Sequence, residues 1–389
     1  MNQNAKNILR PLYVWAFIEA LIFWYAIEKL LWSSAGITFE QIVVLGVIAQ
    51  SSQVLIEVPS SIIADRWSRR KTLMISSVFM LVAIVIVLSV QSFLSFAIMS
   101  LMWAFYYAFQ SGTINAYIYD LLKEKNEQSQ YRKAVSRYAT FQLSGLLVSS
   151  IGASILVKVG NYFTPYWVTI IPSVSAIIIL WRMHEPIMEK TEQSMGTAIH
   201  HVSSAARNVL AKKWIIIVFV SLALAMGGRF IWYEYYQLYS IDQLVPAVLF
   251  GFMLAMIHVG NILGAEFAHR VKNPNTVMML SLGLLFVSNL SLLLVNWSFA
   301  IIIFLTMCFF GSQAVTIVLD ENLQHETDSE LRATTLSLMG LASRIVFGIG
   351  ALAIIIAGST SESIALTAFA VFVCVLLYIP ISKRLVSAK

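Results

Sequence analysis

The chain is written in long apolar blocks separated by short polar ones. Apolar segments run over about 9–32, 38–64, 72–90, 93–121, 134–157 and 163–183. Six more follow at about 214–240, 244–268, 275–295, 298–320, 333–357 and 362–382. An α-helix needs about 20 apolar residues to cross a bilayer, so each block reads as one crossing. Between the sixth and seventh lies a more polar stretch, 184–213. Its part 196–213 reads as a short amphipathic helix with Arg207, Lys212 and Lys213 outward, lying on the inner leaflet. The pattern predicts an all-α membrane protein of twelve transmembrane helices. They are expected as two pseudo-symmetric six-helix bundles, 1–183 and 214–389, joined by the 184–213 linker.

The two halves echo each other. Asp120 ends the fourth segment and Arg132 opens the fifth, and Asp320 and Arg332 repeat this 200 positions on. Phe23-Trp24-Tyr25 in the first segment is matched by Ile231-Trp232-Tyr233 in the seventh, 208 positions on. Parallel repeats about an axis along the membrane normal are one transporter architecture, with the substrate site near mid-membrane.

Composition narrows the class. Of 389 residues 59% are hydrophobic and 12% charged, with a mean hydropathy of +0.78. Soluble domains carry about 25% charged residues, so an ordinary soluble enzyme is excluded. Twelve crossings of about 20 residues leave roughly 150 for tails and connections, too few for a separate soluble domain. The net charge of +6 does not imply nucleic acid, because the basic residues punctuate apolar ends and form no stripe. Cys308 and Cys374 stand in separate apolar segments and read as packing residues, so no metal site and no disulfide is expected. No phosphate-binding Gly-x-x-x-x-Gly-Lys loop is present, which argues against ATP-driven transport and leaves no cofactor to expect. A membrane enzyme would need a polar cluster at one depth, and the only histidine pair, His200-His201, lies in the linker.

Orientation follows from lysine and arginine, which favour the cytoplasmic side. With a cytoplasmic N-terminus, 22 of the 26 basic residues fall inside. The others are Lys29 and Lys158 at outer ends, and Arg229 and Arg344 within spans. Both termini are therefore expected in the cytoplasm, with the chain in the cytoplasmic (plasma) membrane. No small-residue cleavage site follows the first apolar run, which reads as a retained helix.

The segment Glu57-Val58-Pro59-Ser60-Ser61-Ile62-Ile63-Ala64-Asp65-Arg66-Trp67-Ser68-Arg69-Arg70-Lys71 joins the second and third crossings. It resembles the signature loop of the major facilitator superfamily: glycine, three residues, Asp-Arg, two residues, Arg-Arg-Lys. Here Ser61 and Ser68 stand where glycine is usual. The Glu-x-Pro lead-in, Ser111-Gly112-Thr113, Tyr119-Asp120-Leu121-Leu122-Lys123-Glu124 and Arg332-Ala333-Thr334-Thr335-Leu336-Ser337 are similar to a bacterial branch of drug and multidrug exporters. The resemblance implies the major facilitator fold. It also implies a cytoplasmic gate in which the signature aspartate, Asp65, sits near the start of the eleventh helix. Asp65 and Arg66 would be gate residues beside Arg69 and Arg70, with Glu57, Asp120 and Arg137 as charge partners. Charge alone would equally keep Arg69, Arg70 and Lys71 on the cytoplasmic side. The second-half counterpart, Gly264 to Lys272, has Ala268 and His269 in place of Asp-Arg, so the latch is expected to be one-sided.

Ionisable residues inside a span are functional candidates, since each costs at least about 2.5–3.5 kcal/mol to insert. Glu19 lies nine residues beyond Arg10, about 14 Å deep on a continuous helix. Such a helix would place Trp15, Glu19, Ile22 and Ala26 on one face. Glu19 is the first candidate for proton coupling or for pairing with a cationic substrate, because apolar surroundings disfavour the charged form of a carboxylate. A structural pair with a second-half arginine is the competing reading. Arg229 admits two readings as well: it faces Glu19 across a central cavity, or it pairs with Glu234 near the outer surface. Arg344 suits a structural pair as well as a substrate contact. His258 and Asn261 read as a proton path or as hydrogen-bonding packing.

Trp103, Tyr106, Tyr107, Gln110, Thr113 and Tyr117 repeat at three- and four-residue spacing and give the fourth segment an aromatic face. It either packs helices or stacks on a flat organic molecule. With Trp15, Glu19, Phe23, Arg229, Tyr233, Asn261, Gln313 and Arg344, this face apart from Tyr106 makes up the expected substrate cavity. Glu19, Arg229 and His258 are the proton-coupling candidates. The expected activity is secondary transport of a small amphiphilic or aromatic molecule by alternating access. Proton-coupled efflux of a drug or toxic metabolite by a monomer is the leading form. Ion-coupled uptake of a nutrient or metabolite is the alternative, and a non-transporting sensor a minor one. Two departures weigh against the exporter branch. Tyr106-Tyr107-Ala108-Phe109 lacks the branch's fourth-span arginine, and the fifth segment has only Gly145 and Gly152 where several glycines and a Gly-Pro pair are usual.

Overall fold

The computed structural model describes residues 3–186, 213–327 and 332–375. The expected linker helix at 196–213 therefore lies almost wholly outside the described residues. The described elements are helical: α1 Gln3–Glu19, a 3-10 turn Phe23–Ile27, α2 Glu28–Ser34, α3 Phe39–Arg66, α4 Arg69–Ser89, α5 Phe93–Gln110, α6 Thr113–Glu124, α7 Tyr131–Val159 and α8 Thr164–Arg182. After the linker come α9 Lys213–Asp242, α10 Phe250–Arg270, α11 Pro274–Leu294, α12 Ser298–Glu326, α13 Arg332–Ile356 and α14 Ser361–Val375. Ten helices among the described residues are long and apolar enough to cross a membrane. The first expected crossing is interrupted, and the last is described only to Val375.

Helix starts follow local chemistry. Thr38 caps α3 through a capping box with Gln41, each side chain accepting from the other's amide at 3.3 and 3.0 Å. Ser92 and Ser95 do the same for α5. Ser68, at the signature loop's second glycine position, caps α4 by accepting from the Lys71 amide at 3.0 Å. The serine substitution thus supplies a helix cap that a glycine would lack.

Two compact units divide the chain: Met1–Gln193 with Ala247–Ala255, and Ser194–Pro246 with Met256–Lys389. In the first, α1 packs on α7 and α8, while α4 packs on α5 and α8 and α3 on α5. Its packed centre includes Leu9, Leu12, Trp15, Tyr117, Leu121, Ala134 and Leu180, all fully buried. In the second, α9 packs on α12, α13 and α14, and α11 on α12 and α14.

Two expectations of continuity are corrected. The first apolar segment is not one helix: α1 stops at Glu19, Ala20–Ile22 are non-helical, and the chain resumes as a 3-10 turn. Trp15 and Glu19 therefore do not share a helical face with Ile22 and Ala26. The fourth segment also breaks, at Ser111 and Gly112, where Gly112 takes φ +72°. This cuts the aromatic stripe, with Trp103 to Gln110 on α5 and Thr113 and Tyr117 on α6. The second-half helices α9 and α12 run unbroken through the corresponding places.

Irregular backbone at membrane depth survives only where protein satisfies its polar groups. At the first break the Ala20 carbonyl accepts from the Ile22 amide (2.9 Å) and from Ser149 Oγ on α7 (3.2 Å). The Phe23 amide donates to Thr169 Oγ1 on α8 at 3.2 Å. Gly145 lets α7 come close enough to do this, since a Cβ there would collide with the Phe17 carbonyl oxygen and lie 2.9 Å from Ala20 Cβ.

Candidate functional site

The two breaks meet at a carboxylate. Glu19 is the last residue of α1 and Gln110 the last of α5, and Gln110 Nε2 donates to Glu19 Oε1 at 3.2 Å. Ser77 Oγ on α4 donates to the same oxygen at 2.9 Å, and Tyr106 lies close by. Glu19 is buried, 8% exposed, so a carboxyl group sits inside the first unit among neutral donors.

Tyr106 joins this carboxyl to an aromatic cluster. Its ring stacks on Trp103 at 5.2 Å and meets Tyr107 edge-on at 5.3 Å. Trp103 in turn lies 5.0 Å from Trp24 and 5.5 Å from Tyr25, residues of the 3-10 turn beyond the first break. Trp24 stacks on Tyr166 at 5.4 Å. Trp24 and Tyr166 are fully buried, whereas Tyr107 is 39% exposed and forms the open edge. The break in the first segment therefore places Trp24 and Tyr25 over the aromatic face of α5. Rings at these separations attract by offset and edge contacts, and their faces accept cations or flat apolar groups.

Other candidates are distributed as follows. Trp15 and Tyr117 lie fully buried in the packed centre, and the Tyr117 hydroxyl donates to the His184 carbonyl at 2.5 Å. Thr113 is buried at the start of α6. The Phe23 ring fills the space where a Cβ on Gly152 would stand.

In the second unit Arg229, on α9, donates to Gln313 Oε1 on α12. His258 is 5% exposed, its ring 6.4 Å from Tyr233 and within electrostatic reach of Arg229. The Asn261 Oδ1 atom is buried. Arg344 Nη1 reaches the Gly340 carbonyl at 3.5 Å. A narrow cavity of about 30 Å³ is lined by Arg229, Trp232, Asn289, Cys308 and Ser312, among others. Cys308 is buried there and accepts from Asn289 Nδ2 at 3.5 Å.

Three of the gate candidates, Arg69, Arg70 and Asp120, enter charge pairs within the first unit. Arg69 Nε lies 2.5 Å from Asp120 Oδ2. Arg70 pairs with Glu185 at 3.4 Å and donates to the Trp181 and Met183 carbonyls, both at 2.9 Å. Ser68 Oγ donates to Glu185 too. Glu57 accepts from Ser111 Oγ at 3.0 Å, and Arg137 is exposed near Tyr13. The side chains of Asp65 and Arg66 lie outside the described residues.

Sequence reasoning missed two features. Glu185, with the neighbouring His184–Glu124 pair at 2.7 Å, ties the segment after α8 to the signature loop. Its only signal in the chain is an acid just after the sixth apolar segment. Lys29 is expected at an outer end, next to Glu28. Glu28 and Lys29 are instead buried, 6% and 3% exposed, and paired at 2.5 Å, with Lys29 Nζ 4.2 Å from the Trp32 ring. Adjacent opposite charges neutralise one another, which lets both enter the core.

Solved structures of similar fold are transporters. A nucleoside transporter, NupG, matches with a TM-score of 0.76 and 16% identity, over 97% of this chain and 99% of that one. A transporter of the POT family, in complex with 5-aminolevulinic acid, matches at 0.74 with 13% identity, over 97% and 96%. A bacterial homolog of the human lysosomal transporter Spinster, inward-facing and occupied, matches at 0.72 with 11% identity, over 98% of each chain. At these identities the likeness is one of fold. No curated protein matches the sequence. The family described as Major Facilitator Superfamily matches residues 12–351. With that match over most of its length, and an all-helical, multi-pass membrane architecture shared with these transporters, the chain belongs to the Major Facilitator Superfamily of secondary transporters.

Proposed function

We propose that this transporter moves a small aromatic or amphiphilic molecule by proton-coupled efflux, with Glu19 as the group that exchanges proton for substrate. The observation that carries the reading is the meeting of two interrupted helices at one buried carboxyl beneath an aromatic cluster. Discontinuous membrane helices commonly build transporter binding sites, because their ends free polar groups and space at mid-membrane. A carboxylate that can hold a proton or a substrate cation, but not both together, gives exchange. Trp103, Tyr107 and Tyr25 offer ring faces for the apolar body of the same molecule.

The reading places both termini in the cytoplasm, the chain in the cytoplasmic membrane, and the Arg69–Asp120 and Arg70–Glu185 pairs at the cytoplasmic gate. The domain boundaries at 183 and 214, and a monomeric state, belong to the same proposal. The drug-exporter branch rests on the motif resemblance alone. Uptake of a nutrient or metabolite is the second reading, favoured by the missing fourth-span arginine.

The test is transport in proteoliposomes under an imposed pH gradient, with lipophilic aromatic cations and matched neutral compounds. Wild type should move at least one cation against its gradient, with Glu19→Gln losing gradient-driven movement and Trp103→Ala weakening substrate affinity. Gradient-driven transport that survives Glu19→Gln would sink the coupling role.

A further inference from the structure

The second unit carries a charge that its own described neighbours do not neutralise. Arg229 stands 16 residues into α9 from Lys213, about 24 Å along the helix. Its partner is Gln313, a neutral amide. Among the described residues no carboxylate lies within ion-pair distance of it. A guanidinium has five donors in a planar fork, and Gln313 engages one nitrogen. Placing such a group inside a span without an anion is costly, and intramembrane charges of this kind mark ligand pathways.

The surroundings point the same way. The cavity beside Arg229 measures about 30 Å³. One water needs roughly 10–15 Å³ on this measure, so there is space for two or so water-sized groups, the size of the two oxygens of a carboxylate. Asn289 cannot serve a ligand there without breaking its own bonds: its oxygen accepts from Trp232 Nε1 at 2.9 Å, and its amide donates to the Leu285 carbonyl and to Cys308. Ser312 differs. It is 7% exposed, it lines the cavity, and its hydroxyl has no hydrogen-bond partner among the described residues. His258 Nε2, in the same electrostatic neighbourhood, is likewise buried without a partner there. Buried polar groups in folded proteins are nearly always paired. Ser312 thus offers an unpartnered hydroxyl in the cavity that Arg229 also lines.

We infer that Arg229, Ser312 and the adjoining cavity form an anion subsite that takes the carboxylate of an organic acid. A cation is excluded by Arg229 itself. A carboxylate suits the planar fork, which binds it through paired charge-assisted hydrogen bonds. The inference is independent of the role proposed for Glu19.

The test is the thermal unfolding midpoint of the purified full chain in detergent, followed by tryptophan fluorescence. The probes are benzoate, benzamide of the same shape, benzylamine and inorganic phosphate, titrated at constant ionic strength. Benzoate should raise the midpoint saturably, with benzamide and benzylamine at least tenfold weaker. Arg229→Lys should weaken benzoate about tenfold, since it keeps the charge and loses the fork. Arg229→Gln should abolish the shift, and Ser312→Ala should weaken it several-fold. The comparison of probes on wild type needs no variant, so a misfolded Arg229→Gln leaves the result readable. Equal shifts by benzoate and benzamide, an unchanged benzoate shift in Arg229→Lys, or no benzoate shift at all would overturn the subsite. A stronger response to phosphate than to benzoate would overturn the carboxylate as the anion recognised. Wild type that moves cations but does not bind benzoate would refute this subsite alone, and wild type that binds benzoate but shows no Glu19-dependent cation transport would refute only the Glu19 reading.

Discussion

Two glycines stand at the helix breaks for different physical reasons, and substitution should separate them. Gly112 has φ +72°, and a Cβ added there would meet nothing within 4 Å. Its need is conformational. An L-residue in the left-handed region costs about 1–2 kcal/mol, and asparagine tolerates it better than alanine. Gly112→Ala should therefore destabilise by about 1 kcal/mol, with Gly112→Asn recovering part of that loss. Gly145 has no positive φ, but an added Cβ would collide with the Phe17 carbonyl oxygen and lie 2.9 Å from Ala20 Cβ. Two of the three nearest atoms are backbone, which cannot swing aside. Overpacking of this kind costs about 1–3 kcal/mol. The larger asparagine must be worse than alanine, so the order of the two variants reverses between the sites.

The assay is reversible unfolding in mixed micelles of rising SDS fraction, read by tryptophan fluorescence, with the four single variants compared at one protein concentration. The reasoning is refuted if Gly112→Asn is no more stable than Gly112→Ala, or if Gly145→Ala is neutral. The first result would mean that the break at Ser111–Gly112 does not rest on the left-handed backbone of Gly112, and the second that the break after Glu19 does not rest on close helix approach at Gly145.

Two further outcomes are expected. Thr169→Val removes the acceptor of the Phe23 amide, whereas Ser149→Ala leaves the Ala20 carbonyl its bond from Ile22. Hydrogen bonds between membrane helices average about 0.6 kcal/mol and reach about 1.7, so the same titration should place Thr169→Val near the upper figure and Ser149→Ala near or below the mean; equal losses would refute this. The Arg69 and Asp120 side chains are 15% and 14% exposed and 2.5 Å apart. A double-mutant cycle of Arg69→Ala and Asp120→Ala in that assay should therefore give about 1 kcal/mol or more of coupling, against the 0.3–0.5 kcal/mol scatter of independent sites; additivity within that scatter would show the pair to be incidental.

Much of the fold was legible because bilayer thickness imposes a length on every apolar block. The helices that begin at Thr38, Ser92 and Asn273 all start at capping residues visible in the chain. The breaks were not equally legible. Ser111-Gly112 carried a turn signal, and it lost to the apolar periodicity on either side. Ala20-Leu21-Ile22 has neither glycine nor proline, so no local residue announces that interruption. Its causes are Ser149, Thr169 and Gly145, more than a hundred positions away, and only the fold brings them to it. For the same reason Glu19 was picked out as a buried charge, while its partners Ser77 and Gln110 were not assigned to it.

Buried charges among the described residues include two kinds, and the difference separates scaffold from site. Glu28 and Lys29 neutralise each other at 2.5 Å, and Arg69 and Asp120 do so near the helix ends. A pair of this sort presents little net charge to anything that enters, and separating it strands a buried ion at a cost of several kcal/mol. Glu19 and Arg229 are met by neutral donors and a neutral amide instead. Neutral dipoles lower the cost of burial without cancelling the charge, so each group still attracts a proton or an ion of opposite sign. An attraction satisfied by a neighbour holds a fold together. One left over is available to whatever the transporter carries, which is why these two residues, rather than the more numerous paired ones, are where substrate chemistry should be sought.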